Sequence, residues 1–448
     1  MYLNKTVFLV AGISRSGIAA TEFLLSHGAE CFICDEMDTE GIRTSTAMLY
    51  AKGARPISGD EAIEAMDKID VLVMSPGIPI DNRIPLAAKR AGKRIIGEME
   101  LGFLYSTCPI VAVTGTNGKT TTCSLIASVL DRAGVDCRAV GNMGVPFTSK
   151  LSELDCNTVA VTEVSSFQLE TLNAFSPHIA IVTNVAEDHL SRHYNMQNYI
   201  FLKSKILKNL KESEYAVLNY DDYVVRGFSE KTKGKVEYFS LKEKVDGAYI
   251  EGDMLYYKGN AVMDTRLIRL KGEHNLYNIL ACVAACKVLG VSDNDIAEGI
   301  IAFKGISHRI EFVRSIRGID FYNDSKATNV DSTIKALNAM SKPTVLLLGG
   351  KDKGQSFDSL FEACKAKNVV KIILFGECRY KLLKSAERAE MDCYCLASSL
   401  SSAVSLAFSE AEVGQNVLLS PACSSFDEFS GFEERGARFA EIVNGFDE

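Results

Sequence analysis

A glycine-rich turn between an apolar run and a threonine-rich stretch constrains this chain more than any other feature. Residues 111–122 read VAVTGTNGKTTT. The Val-rich run predicts a buried parallel strand. Glycines in the turn let backbone N–H groups point at one spot, and the positive end of the helix that follows favours an anion. The sequence therefore predicts a phosphate-binding loop, with Lys119 reaching the terminal phosphates and Thr120 facing Mg²⁺.

The spacing of this loop is shorter than that of the common fingerprint G-x-x-x-x-G-K-[ST]. Gly115 lies three residues before Gly118 instead of five. Because G-x-x-G-K-T also arises in ordinary glycine turns, the prediction depends on the strand before it and the helical pattern after it. The candidate nucleotide-binding residues in this loop are Gly115, Thr116, Asn117, Gly118, Lys119, Thr120 and Thr121.

Composition is that of a globular enzyme with two to four domains: 448 residues, 47% hydrophobic and 24% charged. The longest apolar runs are too short for a membrane span, and the early VFLVAG is better explained as a first strand than as a signal peptide. We therefore expect a cytoplasmic protein. A net charge of −8 argues against a nucleic-acid partner. The 13 cysteines include close pairs in apolar runs, which favours buried thiols over zinc ligands.

The first 97 residues begin like a doubly wound α/β domain. Residues 7–36 predict strand, glycine turn, helix and strand, followed by acidic residues. The pattern Gly12-x-x-x-x-Gly17 lacks the middle glycine of the dinucleotide fingerprint, so another nucleotide or diphosphate is favoured over NAD. The third strand, IDVLVM, runs into a loop that is either a ligand-binding loop or a plain turn. The polar or loop residues singled out here are Ser14, Arg15, Ser16, Asp35, Ser75 and Gly77.

Two strand ends in the second region carry acids and a histidine. The strand in TVAVTEVSSFQLE ends at Glu163, and the one in HIAIVTNVAEDHLSRH is followed by Asp188 and His189. With one phosphate loop upstream, these residues suggest a metal–ATP centre, although His189 by itself is equally a loop histidine. After a β-rich stretch at 213–272, Asn275 and Asn278 begin an Ala-rich helix. Their amides would face a purine edge, or cap and pack the helix.

The third region, from about residue 305, predicts a second doubly wound sheet, because strands such as TVLLLGG, KIILFG and VLLSPA alternate with helical stretches. Polar clusters again follow strands, where α/β proteins bind ligands. These clusters are Asp324, Ser325, Lys326 and Thr328; Lys351, Asp352 and Lys353; and Ser424 and Ser425.

Taken in order, the motifs GTNGKTTT, EVSSFQLE, NVAEDHLSRH, HNLYN, SHR and NDSKATN resemble the Mur ligase family, which builds the bacterial cell-wall peptide. The resemblance covers the whole chain. It implies three α/β domains: a Rossmann-like UDP-substrate domain at 1–97, a phosphate-loop ATP domain with a parallel sheet and a smaller β region at 98–304, and a Rossmann-like amino-acid domain at 305–448.

The segments GISRSG, SPGIP and LSPACSSFDEFSGFEERG resemble the members of the family that add D-glutamate. The resemblance therefore implies an ATP-dependent amide ligase of peptidoglycan synthesis. It would join D-glutamate to UDP-N-acetylmuramoyl-L-alanine through an acyl phosphate. The implied partners are these small molecules, ATP and two Mg²⁺ ions, and we expect a monomer.

The family resemblance also implies roles for individual residues. The catalytic group would be Lys119, Glu163, His189 and Lys203. The metal ligands would be Thr120, Glu163, His189 and Lys203, the last as a carbamate formed with CO₂. ATP would also contact Asn275, Asn278, Arg309 and Asp324, while His308 flanks that site. The UDP substrate would contact Ser14, Arg15, Ser16, Asp35, Ser75, Gly77 and Asn142. D-glutamate would contact Lys326, Thr328, Lys353, Ser425, Phe426 and Phe432, with Lys351 as the alternative to Lys353.

The sequence alone leaves three other functions open. Another Mur ligase or a folylpolyglutamate synthase would share the phosphate loop, but folate enzymes lack the N-terminal UDP domain. A nucleotide-regulated binding protein would bind ATP without turnover. A dehydrogenase would use the first domain for NAD.

Overall fold

The computed structural model describes residues 2–270, 272–352 and 354–447, without the side chains of Ser191 and Asp331. These residues form two compact units. The first comprises Met1–Arg269 with Glu273–Phe303, and the second comprises Leu270–Gly272 with Lys304–Glu448. The first unit contains two sheets and the second contains one.

The N-terminal sheet is parallel throughout, with the strand order β3-β2-β1-β4-β5. Its order reverses between β1 and β4, whose last residues Ala11 and Met74 are paired. The loops after these two strands therefore lie side by side at the edge where doubly wound sheets bind ligands. The elements are β1 (Val7–Ala11), α1 (Arg15–Ser26), β2 (Glu30–Cys34), α2 (Glu40–Ala51), β3 (Arg55–Pro56), α3 (Gly59–Glu64), β4 (Val71–Met74), α4 (Arg83–Arg90) and β5 (Arg94–Gly97).

The central sheet has nine strands in the order β14-β13-β12-β11-β10-β9-β6-β8-β7. Its elements are α5 (Glu98–Tyr105), β6 (Ile110–Thr114), α6 (Lys119–Arg132), β7 (Cys137–Gly141), β8 (Val159–Glu163), α7 (Ser166–Glu170), β9 (Ile179–Val182), α8 (Leu190–His193), α9 (Met196–Ser204), β10 (Tyr215–Asn219), α10 (Tyr223–Arg226), β11 (Lys235–Ser240), β12 (Gly247–Glu251), β13 (Met254–Tyr257), β14 (Asn260–Asp264), α11 (Glu273–Val288) and α12 (Asp293–Ala302).

The strands of this sheet are parallel from β7 across to β12, and β12, β13 and β14 are antiparallel. The β-rich stretch expected at 213–272 thus extends the central sheet. Strand β6 (IVAVT) is buried along its whole length, and helix α6 packs on α11 and α12. A central strand buried on both faces must be apolar throughout, which explains its Val-rich sequence.

The third sheet, in the second unit, has the order β15-β16-β20-β17-β18-β19, with an antiparallel β15–β16 hairpin and parallel strands elsewhere. Apolar cores cover both of its faces. Its elements are β15 (Glu311–Ile316), β16 (Ile319–Asn323), α13 (Val330–Ala339), β17 (Thr344–Gly349), α14 (Asp358–Ala366), β18 (Val369–Phe375), α15 (Arg379–Arg388), β19 (Tyr394–Leu396), α16 (Leu400–Glu410), β20 (Asn416–Ala422) and α17 (Phe432–Asn444).

Short 3₁₀ segments complete the chain at Leu3–Lys5, Met66–Lys68, Thr148–Glu153, Lys205–Leu207, Gly227–Lys231 and Thr265–Leu267. Among the described residues, no helix combines the length and the apolar character needed to cross a bilayer.

Candidate active site

The glycine-rich loop connects buried β6 to α6, as the sequence predicts, and its two glycines have conformations that other residues avoid. Gly115 has φ 148° and Gly118 has φ 85°. A Cβ at Gly115 would overlap Thr183 Oγ1, and a Cβ at Gly118 would overlap Asn278 Oδ1. Both positions therefore need glycine for backbone conformation and for space.

The end of β9 holds this loop in place. Thr116 N donates to Asn184 O and Asn117 N donates to Asn184 Oδ1, both over 2.9 Å. Thr183 Oγ1 donates to Asn117 O over 2.6 Å. The sequence analysis did not assign a role to Thr183 or Asn184. Their only signal in the sequence is that they follow a buried strand.

Two lysines converge on the carbonyl oxygen of Gly115. Lys119 Nζ donates to it over 2.9 Å and Lys203 Nζ over 2.7 Å; Lys203 also donates to Thr114 Oγ1 over 3.2 Å. Lys203 is only 1% exposed. Burial, reinforced by the charge of Lys119, holds the pKa of Lys203 well below its usual range. Its amine is therefore easier to deprotonate than a surface lysine, which makes it more nucleophilic.

Glu163, at the end of β8, is 3% exposed, and its charge acts against the lowering of the pKa of Lys203. Its Oε1 accepts a hydrogen bond from Asn142 Nδ2 over 2.6 Å. Its Oε2 is buried without a hydrogen-bond partner in the described part of the chain. A buried acceptor left without a donor is costly, and a carboxylate oxygen is a preferred ligand of Mg²⁺.

His189 lies at the start of α8 with φ 54° and is half exposed. Its Nε2 is 3.4 Å from Asp188 Oδ2, and its ring packs on Phe167. Across residues 2–270, 272–352 and 354–447, no group of three or more His, Cys, Asp and Glu side chains is arranged to hold a metal.

The two asparagines at the start of α11 bond to each other. Asn278 Nδ2 donates to Asn275 Oδ1 over 3.2 Å. Asn278 is buried, and its Oδ1 accepts a bond from Thr122 Oγ1 over 3.4 Å. Asn278 thus packs against the phosphate loop, which agrees with the packing alternative. Half-buried Thr120 lies in the first turn of α6, and Thr121 behind it is buried.

In the N-terminal sheet, the loops after β1, β2 and β4 converge. Ser75 Oγ donates to Gly12 O over 2.7 Å, and Asp35 accepts a bond from Ile13 N over 2.7 Å. The residues left accessible are Ser14, Arg15 and Gly77, with Ser16 half-buried. The Arg15 guanidinium also approaches Gly144, in the loop after β7 that begins with Asn142. The residues proposed for one ligand thus gather from loops far apart in sequence.

In the second unit, Asp324 follows β16 and is 4% exposed. Its Oδ2 accepts a bond from Ser420 Oγ over 2.7 Å, and its Oδ1 accepts one from Ile310 N over 3.2 Å. Burial raises the pKa of Asp324 to about 7, while these two bonds and the charge of Arg309 oppose the rise. Arg309 itself is exposed. His308 bonds through Nδ1 to Asn323 Nδ2 over 3.0 Å.

The residues expected around the amino acid lie on neighbouring loops of this unit. The Lys326 ammonium is 5.6 Å from the centre of the Phe432 ring, and Thr328 N donates to Lys326 O over 2.9 Å. Ser425 is buried and Phe426 is exposed. Lys353 lies outside the described residues.

Arg435, which the sequence analysis did not assign, connects the loops of this unit. It is fully buried and donates to Ser325 O, Cys423 O and Ser424 O over 2.9–3.2 Å, and to Ser325 Oγ over 3.0 Å. Burial lowers its pKa to about 10. One side chain thus fixes the backbone next to Lys326 and to Ser425.

Together, the fold and the glycine-rich loop after β6 define a class of protein: a three-sheet α/β chain with a phosphate loop in its central sheet. Family descriptions match successive parts of it: "Mur ligase MurD-like, N-terminal domain" at 6–97, "Mur ligase middle domain" at 113–286 and "Mur ligase, glutamate ligase domain" at 308–423. The chain belongs to the Mur ligase family.

Curated relatives match over nearly their full length. A protein of Caldanaerobacter subterraneus subsp. tengcongensis is 41% identical over 447 residues, which cover 99% of each chain. A protein of Bacillus cereus is 41% identical over 445 residues, covering 99% of this chain and 98% of that one. Both are named UDP-N-acetylmuramoylalanine--D-glutamate ligase.

Solved structures share the fold at low sequence identity. MurC, a UDP-N-acetylmuramate-alanine ligase of Thermotoga maritima, is 18% identical with a TM-score of 0.61, over 98% of this chain and 99% of that one. MurF ligase of Thermotoga maritima, solved in complex with ADP, is 15% identical with a TM-score of 0.57, over 99% and 98%.

Proposed function

We propose that this protein joins D-glutamate to UDP-N-acetylmuramoyl-L-alanine, with ATP converted to ADP and phosphate. The observation that carries the proposal is the phosphate loop, where Lys119 and the buried Lys203 meet at the carbonyl of Gly115 and Glu163 keeps a buried oxygen without a partner. The names of the 41%-identical relatives supply the substrate class.

The reaction begins when the alanyl carboxylate attacks the γ-phosphorus of ATP, so that ADP leaves and an acyl phosphate forms. The amine of D-glutamate then attacks the acyl carbon. The tetrahedral adduct loses a proton and collapses, the C–O bond breaks, and phosphate leaves with the carboxylate oxygen. Attack of one anion on another needs positioning and positive charge more than covalent help. Lys119, the loop amides and the N-terminus of α6 supply that charge.

The residues present fit Mg²⁺. The unpartnered Oε2 of Glu163 and the hydroxyl of Thr120 would hold one ion and His189 would hold a second, with nucleotide oxygens completing the shells. When bound, Mg²⁺ neutralises charge on the phosphates. Asn142 holds the other oxygen of Glu163 and so orients the carboxylate.

Lys203 is proposed to carry a carbamate. CO₂ reacts only with a neutral amine, and the buried position of Lys203 favours that form. The modified side chain would be an anion next to Lys119, which offsets the cost of burying it, and would add an oxygen ligand for a second Mg²⁺. Its N–H could still donate to Gly115 O.

The UDP substrate is assigned to the loops of the N-terminal sheet, with Arg15 among the contacts of UDP and Asn142 nearer the muramoyl part. D-glutamate is assigned to the loops of the second unit around Lys326, Thr328 and Phe432. We retain the domain boundaries at 97/98 and 304/305, the assignment of Arg309 and Asp324 to ATP, and the expectation of a monomer in the cytoplasm as parts of the proposal.

The test is phosphate release from ATP, Mg²⁺ and UDP-N-acetylmuramoyl-L-alanine, with bicarbonate, in parallel reactions with D-glutamate, L-glutamate, L-lysine or no amino acid. We expect release only with D-glutamate. Release with a different amino acid would assign the protein to another ligase of the family. ATP binding without release in any reaction would favour a binding protein without turnover.

A further inference from the structure

Arg192, on the one-turn helix α8, contacts a loop of the N-terminal sheet. Its guanidinium donates to Ile78 O over 2.7 Å, to Gly77 O over 3.3 Å and to Pro76 O over 3.4 Å. Three consecutive carbonyl oxygens thus converge on one side chain. No role is predicted for this arginine from the sequence, although it lies three residues after His189.

The Arg192 guanidinium is also fixed by contacts with residues outside this loop. Arg192 Nε is 3.0 Å from Glu170 Oε1 and one of its terminal nitrogens is 2.7 Å from Glu170 Oε2, a two-point pair. Its side chain is 14% exposed and that of Glu170 is 7% exposed. Its guanidinium also lies 5.1 Å from the centre of the Phe167 ring. A planar fork held on one side by a carboxylate and a ring presents its remaining N–H groups in a fixed direction.

The loop that Arg192 holds is the one that leaves β4 at the reversal point of the sheet. Ser75, at its start, is fixed to Gly12 O, so its first residue is anchored within the N-terminal sheet. Residues 76–78, beyond that anchor, are anchored by Arg192. In a trans peptide the C=O and the next N–H point in opposite directions, so turning Pro76 O toward Arg192 turns the N–H of Gly77, an exposed residue, away from Arg192.

Helix α8 links this contact to the phosphate-loop region. It begins directly after His189, and Thr116 Oγ1 in the phosphate loop donates to Ala186 O over 3.1 Å, a few residues earlier. One short segment, 186–192, therefore touches the phosphate loop at one end and the loop after β4 at the other.

We propose that Arg192 is a positioning residue that holds the 76–78 loop in the conformation that receives the UDP end of the substrate. This inference rests on the proposed function and deepens it. Arg192 is not among the residues assigned to ATP. Replacing it should therefore weaken binding of the uridine nucleotide and leave ATP binding intact.

The experiment compares Arg192→Gln, Arg192→Lys and the control Arg132→Gln, a more exposed arginine of the same unit that pairs with a single glutamate, Glu298. The dissociation constant of UDP alone is measured by calorimetry, and KM is measured separately for ATP and for UDP-N-acetylmuramoyl-L-alanine. We expect Arg192→Gln to raise both the dissociation constant of UDP and the KM of the UDP substrate roughly tenfold or more. The KM of ATP should stay within about twofold of its value in the unmodified protein. Arg192→Lys should keep only part of the UDP affinity, because an ammonium lacks the planar fork of a guanidinium.

Equal rises in both KM values, or unchanged UDP binding, would overturn the inference. So would loss of folding in both Arg192 variants, judged by thermal unfolding, because Arg192 would then be a general structural requirement. Failure of the proposed function looks different: the unmodified protein would not release phosphate with any amino acid, while the effect of Arg192 on UDP binding could still be measured.

Discussion

Replacing Asp324 by asparagine should stabilise the fold at neutral and alkaline pH. Burial raises the pKa of this carboxyl to about 7, against about 4 in an unfolded chain. Between these values the folded state holds a proton that the unfolded state has released. The contribution of Asp324 to stability is therefore fully present below about pH 4 and is lost as the pH rises through 7.

The size of the effect follows from three pKa units at about 1.4 kcal/mol each. Asp324→Asn should raise the free energy of unfolding by roughly 4 kcal/mol at pH 8 and by roughly 1–2 kcal/mol at pH 5. The amide can keep both contacts: its oxygen accepts from Ile310 N, and its NH₂ donates to Ser420 Oγ, whose proton turns to Thr333 Oγ1 at 3.2 Å.

Urea unfolding of both proteins at pH 5 and pH 8 measures these differences. The control is Asp358→Asn, an exposed aspartate of the same unit paired with Arg388, which should show no such gain. Equal gains at both pH values, or a less stable Asp324→Asn protein at pH 8, would refute the reasoning. Since Asp324 is also assigned to the ATP site, we expect the stabilised variant to lose turnover.

Three further substitutions test the described geometry. Gly115→Ala should abolish phosphate release and lower the free energy of unfolding by roughly 1–3 kcal/mol. Gly115 has φ 148°, and a Cβ there would overlap Thr183 Oγ1. Normal phosphate release by this variant would contradict the prediction. Lys203→Ala should lower the rate at least about 100-fold, with partial rescue by short carboxylates that replace the carbamate; full activity without additive would exclude the modification. Arg435→Lys should lower the free energy of unfolding in urea by roughly 2–4 kcal/mol, because the three N–H groups of an ammonium share one nitrogen and lack the planar fork that reaches the carbonyls of Ser325, Cys423 and Ser424; an unchanged midpoint would show that these bonds are dispensable.

The sequence was sufficient for the elements and for the positions of the loops. Apolar runs such as 110–114 and 344–349 are buried strands because a strand inside a parallel sheet meets apolar neighbours on both faces. Polar residues directly after such strands were correctly expected at strand ends, as for Glu163 and Asp324. Both signals are local, so they can be read from one stretch of chain.

Contacts between loops were not predictable, because they depend on three-dimensional packing. Asn184 supports Asn117 across 67 positions, and Arg192 reaches Ile78 across 114. Neither pair has a spacing that distinguishes it from other polar residues. Burial of a charged group is equally hidden: the family resemblance singles out Lys203, but no pattern in the sequence shows that its side chain is only 1% exposed.

Activation of the alanyl carboxylate by ATP can be tested by following one oxygen atom through the reaction. The substrate UDP-N-acetylmuramoyl-L-alanine is labelled with ¹⁸O at both oxygens of the alanyl carboxylate and incubated with ATP, Mg²⁺, bicarbonate and D-glutamate. Because one carboxylate oxygen becomes the bridging oxygen of the acyl phosphate and leaves with phosphorus, we expect one ¹⁸O in each released phosphate, seen by ³¹P NMR. Released phosphate that carries no label would contradict it.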